Sequence, residues 1–252
     1  MQAERPLVFV DLDDTLFQTA RKMLQGASRY TATLDAEGQP NGYMSSVQKM
    51  FADWLLASAD VVPVTARSTD VYRRVVLPFT QGAVCSHGGI ILRADGTPDQ
   101  DWAMQMAATL EPLQERLHAL TVHILEAGEM IGVSLRTWVV EEAGIGQYVV
   151  AKNNGAGDAV LGDVLAVIKA KGLVAGMHVH RNGNNLALLP VGLEKKHAVQ
   201  EWLRRDREIH GERPVLGMGD SITDLGFMQS CDLWATPSGS QLAALVEDNS
   251  HD

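Results

Sequence analysis

Leu7-Val8-Phe9-Val10-Asp11-Leu12-Asp13-Asp14-Thr15 is the stretch whose reading decides the fold. Four apolar residues with no polar interruption predict a strand buried on both faces, as in a parallel sheet. The run ends on two carboxylates two residues apart. Open parallel sheets bind ligands at the carboxyl ends of their strands, so Asp11 and Asp13 stand where a site belongs.

Downstream, Ser45 and Gln48 have capping-box spacing, and Val47, Met50, Phe51, Trp54 and Leu55 recur at helical intervals, which predicts a helix with those five on its buried face. Strands follow at 61–64, with Pro63 awkward inside it, and at 83–86, before Gly88-Gly89. From about residue 93 the pattern changes. A helix over 102–125, with a break at Pro112, precedes strands over 131–141 and 147–152. A helix over 158–171, stopped by Gly172, precedes strands over 177–181 and 185–189 around an Asn182-Gly183 turn. Two helix-strand-strand units make an α+β layer. The first pattern then resumes: helix 195–207, strand 214–218, helix 223–230, strand 233–236, helix 240–247. The expectation is an α/β protein. Residues 1–92 and 190–252 form a Rossmann-like parallel core, and 93–189 an inserted α+β domain.

The chain of 252 residues carries 46% hydrophobic and 21% charged residues, the balance of a globular protein with a sizeable core. Thirty-one acids against 21 bases give a net charge of -10, and no basic stripe offers a nucleic-acid footprint. No apolar stretch approaches the ~20 residues of a membrane span, and the apolar run after Pro6 is too short for a signal-peptide core. A cytoplasmic protein, monomeric or a small homo-oligomer, is expected. Cys85 and Cys231 are too few for a disulfide scaffold or a four-cysteine zinc site and read as small buried hydrophobes. The five tryptophans read as core residues.

The chemistry-bearing residues fall at predicted strand ends. Asp11 and Asp13 repel unless a cation or proton separates them. Magnesium supplies such a cation and needs only one or two carboxylates. One acid then stays ionised as a nucleophile while the other serves as general acid; a polar turn is the plainer reading. In Gly217-Met218-Gly219-Asp220-Ser221-Ile222-Thr223-Asp224, the two acids four apart suit a hard cation or, alternatively, a helix cap. Lys195 lies in phase with Ala198, Val199, Trp202 and Leu203, so it sits on a core-facing stripe and needs an anionic partner. Lys196 points elsewhere. Thr65 offers a hydroxyl for phosphoryl oxygens or a helix cap, and Arg67 pairs with Asp70 or holds substrate. His178 and His180 share a strand face without a third ligand, and His87, beside the glycines, borders the cleft or, more plainly, is a loop histidine.

These motifs, in this order, resemble the haloacid dehalogenase superfamily of phosphatases: Asp11 to Thr15, Thr65 in Val64-Thr65-Ala66-Arg67, Lys195, and Gly219-Asp220 through Asp224. The insertion looks like the α+β cap of the Cof-type branch, which includes sucrose-phosphate, trehalose-phosphate and mannosyl-3-phosphoglycerate phosphatases and phosphomannomutases. The resemblance implies that Asp11 is the nucleophile, that Asp13 protonates the leaving oxygen and later activates water, and that Thr65 and Lys195 bind the phosphoryl group. It implies that magnesium is held by Asp11, the Asp13 carbonyl and Asp220, with Asp224 direct or one shell out. An acid at position 13 suits an oxygen leaving group rather than a halide. Asp14 stands where many relatives have glycine, and Lys196 where this branch often has one. The expected substrate is a small phosphorylated sugar or sugar acid. From their place beside the hairpin turn, Arg181 and Asn184 are expected to touch it. A phosphomutase and a non-catalytic binding protein are the rival readings.

Overall fold

The computed structural model describes residues 5–153, 155 and 159–248. The chain divides into two compact units, Met1–Asp99 with Glu194–Asp252, and Gln100–Leu193.

The first unit opens with β1 (Leu7–Val10), every residue of it buried. Residues 16–44, for which the sequence gives no element, hold a small antiparallel sheet of β2 (Gln18–Thr19), β3 (Tyr30–Leu34) and β4 (Pro40–Met44) in the order β2-β4-β3. Helix α1 (Ser46–Ser58) starts at the expected capping box, with the Gln48 amide nitrogen donating to Ser45 Oγ and the Ser45 amide nitrogen to Gln48 Oε1. Its buried face is not the expected one. Ala52 and Leu55 face the core, whereas Val47, Met50, Phe51 and Trp54 are exposed. Two stripes fit the helical period. The stripe carrying the small Ala52 lies against the sheet, where a slim residue allows close packing.

Strand β5 (Asp60–Pro63) then pairs parallel to β1. Its Asp60 and the following Val64 direct their amides at Pro6 and Val10 on the β1 side. The position of Pro63 therefore points away from β1, where its missing N–H costs no ladder bond. The short α2 (Thr69–Tyr72), the hairpin of β6 (Ala83–Cys85) and β7 (Ile90–Leu92) complete this segment.

In the second unit, Pro112 separates α3 (Gln100–Leu110) from α4 (Gln114–Met130). Strands β8 (Leu135–Glu142) and β9 (Ile145–Asn153), helix α5 (Val160–Ala170), then β10 (Met177–Asn182) and β11 (Asn185–Pro190) give an antiparallel sheet ordered β10-β11-β9-β8. The expected helix start at Asp158 lies outside the described residues. Asn182 pairs with Asn185, so the two-residue turn is Gly183-Asn184, one residue later than expected, with Gly183 at φ +54°. Leu117, Leu120 and Ile124 of α4 and Leu161, Val164 and Ile168 of α5 pack on Leu135, Val149, Ala151, Leu186 and Leu188.

Back in the first unit run α6 (Lys195–His210), β12 (Val215–Met218), α7 (Ile222–Met228), β13 (Leu233–Ala235) and α8 (Gln241–Asp248). The main sheet is parallel, in the order β13-β12-β1-β5. On one side Val8, Val10 and Leu12 pack with Ala52 and Leu55; on the other, Phe9 meets Trp202 of α6 edge to face at 6.4 Å. This two-sided burial is why β1 has no polar residue. Trp102 is buried, but Trp54, Trp138 and Trp234 are exposed, against the expectation that the tryptophans line cores. Cys85 is buried and Cys231 half-buried, and the two are not joined in a disulfide. No helix among the described residues is long and apolar enough to cross a membrane.

Candidate active site

Strands β1 and β12 run side by side, so their carboxyl ends deliver Asp11 and the 219–224 segment to one place. The Asp11 amide donates to Met218 O at 2.8 Å, which ties the two strand ends together. Lys195 arrives from the first turn of α6, and its Nζ donates to Asp11 Oδ1 at 2.6 Å and to Asp224 Oδ1 at 2.7 Å. All three side chains are buried. The anionic partner demanded by the phase of Lys195 is thus a pair of carboxylates. Thr15 Oγ1, four residues after Asp11, donates to its Oδ2 at 3.3 Å.

Asp224 caps a helix, as one of its two readings has it, and also bonds Lys195. Its Oδ2 accepts from the amide and hydroxyl of Ser221, closing a capping box at the start of α7, while Oδ1 takes Lys195. Gly219 makes room for this: a Cβ there would lie 2.4 Å from Asp224 Cβ. Gly219→Ala is therefore expected to displace Asp224 and to lower stability by about 1–3 kcal/mol, read by thermal unfolding. An unchanged midpoint would mean that Asp224 is not held as described. Gly88, at φ +100°, similarly lets the loop after β6 lie against the Glu194 carbonyl that precedes Lys195.

Asp11, Asp220 and Asp224 each present a carboxylate oxygen, all within 4.8 Å of one another, the one such grouping of three potential ligands among the described residues. Three carboxylates against the single ammonium of Lys195 leave an excess of negative charge. Burial, the largest influence, pushes the Asp11 carboxyl up to about 8; Lys195 pulls it down and Asp224 pushes it up. Burial and then Asp224 push Asp220 up to about 6. Burial works against the charge on Lys195, but Asp11 and Asp224 together raise its pKa above the ordinary lysine value. The ammonium stays charged, and the first proton the grouping takes up goes to a carboxylate.

Asp13 is placed differently. Arg67 Nε and Nη2 donate to its two carboxylate oxygens at 2.7 Å each, and Nη1 donates to Thr33 Oγ1 of β3 at 3.1 Å. The guanidinium also lies 5.1 Å over the Phe17 ring. Arg67 does not pair with Asp70, which instead lies 3.6 Å from Arg73. The fork on Asp13 is bidentate, the geometry for which arginine is suited. Arg67→Met is expected to lower stability by about 1.5–3 kcal/mol, toward the lower figure because Asp13 is half-exposed. A residue kept only for substrate would leave the thermal midpoint of the free protein unchanged.

Thr65 is buried just beyond β5; its amide donates to Val84 O at 2.8 Å and its hydroxyl accepts from the Arg67 amide at 3.1 Å. His87, buried rather than a free loop residue, donates its amide to Thr65 O at 3.1 Å. Arg181 and Asn184 belong to the second unit. Arg181 lies on the helix-covered side of the sheet, with Nη1 beside Gly162 of α5, and Asn184 is exposed in the hairpin turn. His178 and His180 are not part of the carboxylate grouping.

Sequence reasoning missed two contacts. Thr15 on Asp11 was signalled only by a four-residue spacing. Lys22 on Asp14, at 2.5 Å, was not legible, because the left-handed turn at Asp14 (φ +65°) that presents this carboxylate has no sequence signature here.

No protein-family model matches the sequence, and no curated protein matches it. Solved structures do match the fold. The sucrose-phosphatase from Synechocystis, solved with sucrose and phosphate, has a TM-score of 0.53 at 18% identity over 98% of both chains. The C-terminal domain of the C. albicans trehalose-6-phosphate phosphatase has a TM-score of 0.58 at 14% identity, over 91% of this chain and 74% of that one. A haloacid dehalogenase-like hydrolase from Bacteroides thetaiotaomicron has a TM-score of 0.50 at 13% identity, over 97% of this chain and 99% of that one. With its parallel sheet and its Asp11 strand end, this chain has the fold of the haloacid dehalogenase-like phosphatases.

Proposed function

We propose that the protein is a magnesium-dependent phosphohydrolase of small phosphate monoesters, acting through an aspartyl-phosphate on Asp11. The observation that carries this reading is the Asp11–Lys195–Asp224 chain with Asp220 beside it. It sets one buried carboxylate at a strand end, an ammonium bonded to it, and an excess of negative charge made of oxygen donors. Such a donor set fits a divalent hard cation, with Asp11 and Asp220 as ligands and Asp224 direct or one shell out. Bound there, magnesium would offset the excess charge and favour ionised Asp11.

Asp11 Oδ2, whose one side-chain bond among the described residues is the long one from Thr15, is in this reading the oxygen that attacks phosphorus. The P–O bond to the alcohol breaks as the Asp11–P bond forms, and Asp13 gives the departing oxygen its proton. Water, losing a proton to Asp13, then attacks phosphorus and frees Asp11 and inorganic phosphate. Lys195 and the Thr65 hydroxyl stabilise charge on the transferring group, the main demand of phosphoryl transfer. Before Asp13 can meet a leaving oxygen, its fork to Arg67 has to open.

A phosphorylated sugar or sugar acid is the proposed substrate class, in line with the sucrose and trehalose-6-phosphate names of the structural relatives. The net charge of -10 favours a small molecule over nucleic acid. Phosphate release from a panel of sugar phosphates with magnesium, with a chelator control, tests the reading. Chelator-sensitive release from one of them supports it. Isomerised sugar phosphate formed only with added bisphosphate would instead identify a mutase, and no reaction with any compound under either condition would favour a binding protein.

A further inference from the structure

Helix α1 presents three faces. Ala52 and Leu55 lie against the main sheet. Lys49 and Asp53, paired at 2.5 Å, share a charged face. The third carries Val47, Met50, Phe51 and Trp54, at i, i+3, i+4 and i+7. These four are 71%, 65%, 37% and 61% exposed, and the Phe51 and Trp54 rings lie 5.7 Å apart between centres.

One exposed apolar side chain is ordinary; a continuous stripe of four marks a surface that something covers. Taking ~150–250 Å² for each residue in full, these exposures leave roughly 450 Å² of mainly apolar surface in water. A standard interface buries ~800 Å² of each partner, a little over half of it apolar. The stripe therefore supplies by itself the apolar share of one side of a stable dimer.

Charge selects the partner. At a net charge of -10, two copies of the chain repel unless they meet where neither shows charge. The stripe holds no charged residue, and its near flanks are Ser46, Gln48, Ala57 and Ser58. A charged partner finds nothing to pair with, but the stripe fits itself. A two-fold axis at its midpoint, between Met50 and Phe51, sets two α1 helices antiparallel. Val47 then faces the second copy's Trp54, and Met50 its Phe51, so each ring meets a slimmer or more pliable side chain.

We propose that this stripe is the interface of a homodimer in which α1 packs antiparallel on α1 of a second copy. A closed two-fold contact needs a patch that complements itself, and this one does. The interface involves α1 alone and stands apart from the phosphatase reading.

The test is sedimentation equilibrium of the full chain up to about 100 µM, above the micromolar Kd at the weak end for an interface of standard size. The mass should reach twice that of the chain and rise no further. Trp54→Ser and Met50→Glu, at positions exposed in the single chain, should each weaken the dimer at least about thirtyfold. Ile209→Ser, which removes a lone exposed side chain from α6, should leave it unchanged. On mild oxidation Met50→Cys, beside the axis, should form more interchain disulfide than wild type. Val47→Cys, held ~10 Å along the helix from its mate, should not. A chain that stays monomeric, a mass that grows past two copies, or a dimer unaffected by both Trp54→Ser and Met50→Glu would overturn the proposal. So would a disulfide from Val47→Cys and none from Met50→Cys.

Discussion

Asp11→Asn is expected to lose phosphatase activity by about 10⁴-fold or more while remaining folded, since a nucleophile has no substitute within its own site. An asparagine oxygen at position 11 can still accept from Lys195, whose Nζ sits 2.6 Å from the present carboxylate. The change removes one negative charge from a grouping in which burial already disfavours ionisation. The thermal midpoint should therefore hold or rise. Coupled phosphate-release and thermal-unfolding measurements decide the matter. Retained turnover would exclude Asp11 as the nucleophile, and a collapsed midpoint would leave the activity loss uninformative.

Lys195→Met is expected to cost both activity and stability. Asp11 and Asp224 would face each other in the interior with no cation between them, and breaking a buried pair in this way costs about 3–5 kcal/mol at neutral pH. Turnover should drop by at least about 10²–10³-fold, the range for removing one preorganised charge-stabilising donor. The stability loss should depend on pH, with a definite sign. A carboxyl whose folded-state pKa lies above its unfolded value holds a proton that the unfolded chain has released, so stability falls as pH rises between the two values. For Asp11 that window runs from its ordinary value of 3.8 to about 8 with Lys195 present, and it extends higher without it. The midpoint gap between wild type and variant should be smaller at pH 6 than at pH 9, because below about 8 Asp11 holds its proton in both folded proteins and above it only the variant goes on losing stability. Added magnesium should narrow the gap at pH 9, because carboxylates freed of Lys195 bind the cation more tightly than those of wild type and so gain more stability from it. A gap of equal size at both pH values would contradict the described charge balance.

Much of the main sheet could be read from apolar runs and their ends. Leu7 to Val10 declared β1 because both of its faces are buried, and the helical phase of Lys195 declared an anionic partner before any partner was known. What could not be read depended on choices the local sequence leaves open. Residues 47–55 fit a helix with two candidate faces, and packing against the sheet favoured the one with Ala52. The strands of residues 18–44 are short, and β3 pairs through irregular register, so no clean alternation announces them. Within the candidate site, residue types and strand ends pointed to the Asp11, Lys195, Asp220 and Asp224 cluster. The partner of Arg67 did not follow from sequence. It faces Asp13 across 54 residues, a distance over which proximity is a product of topology alone.

The most direct test of the account is to find where the phosphoryl group resides during turnover. Wild-type protein and magnesium, mixed with the sugar phosphate that the release panel identifies, would be quenched in acid at successive times before steady state, digested and analysed by mass spectrometry. The account predicts one phosphoryl group on the peptide containing Asp11, forming before free phosphate appears and absent from Asp11→Asn. Release of phosphate with no phosphorylated Asp11 at any quench time, or with the phosphoryl group on another residue, would contradict it.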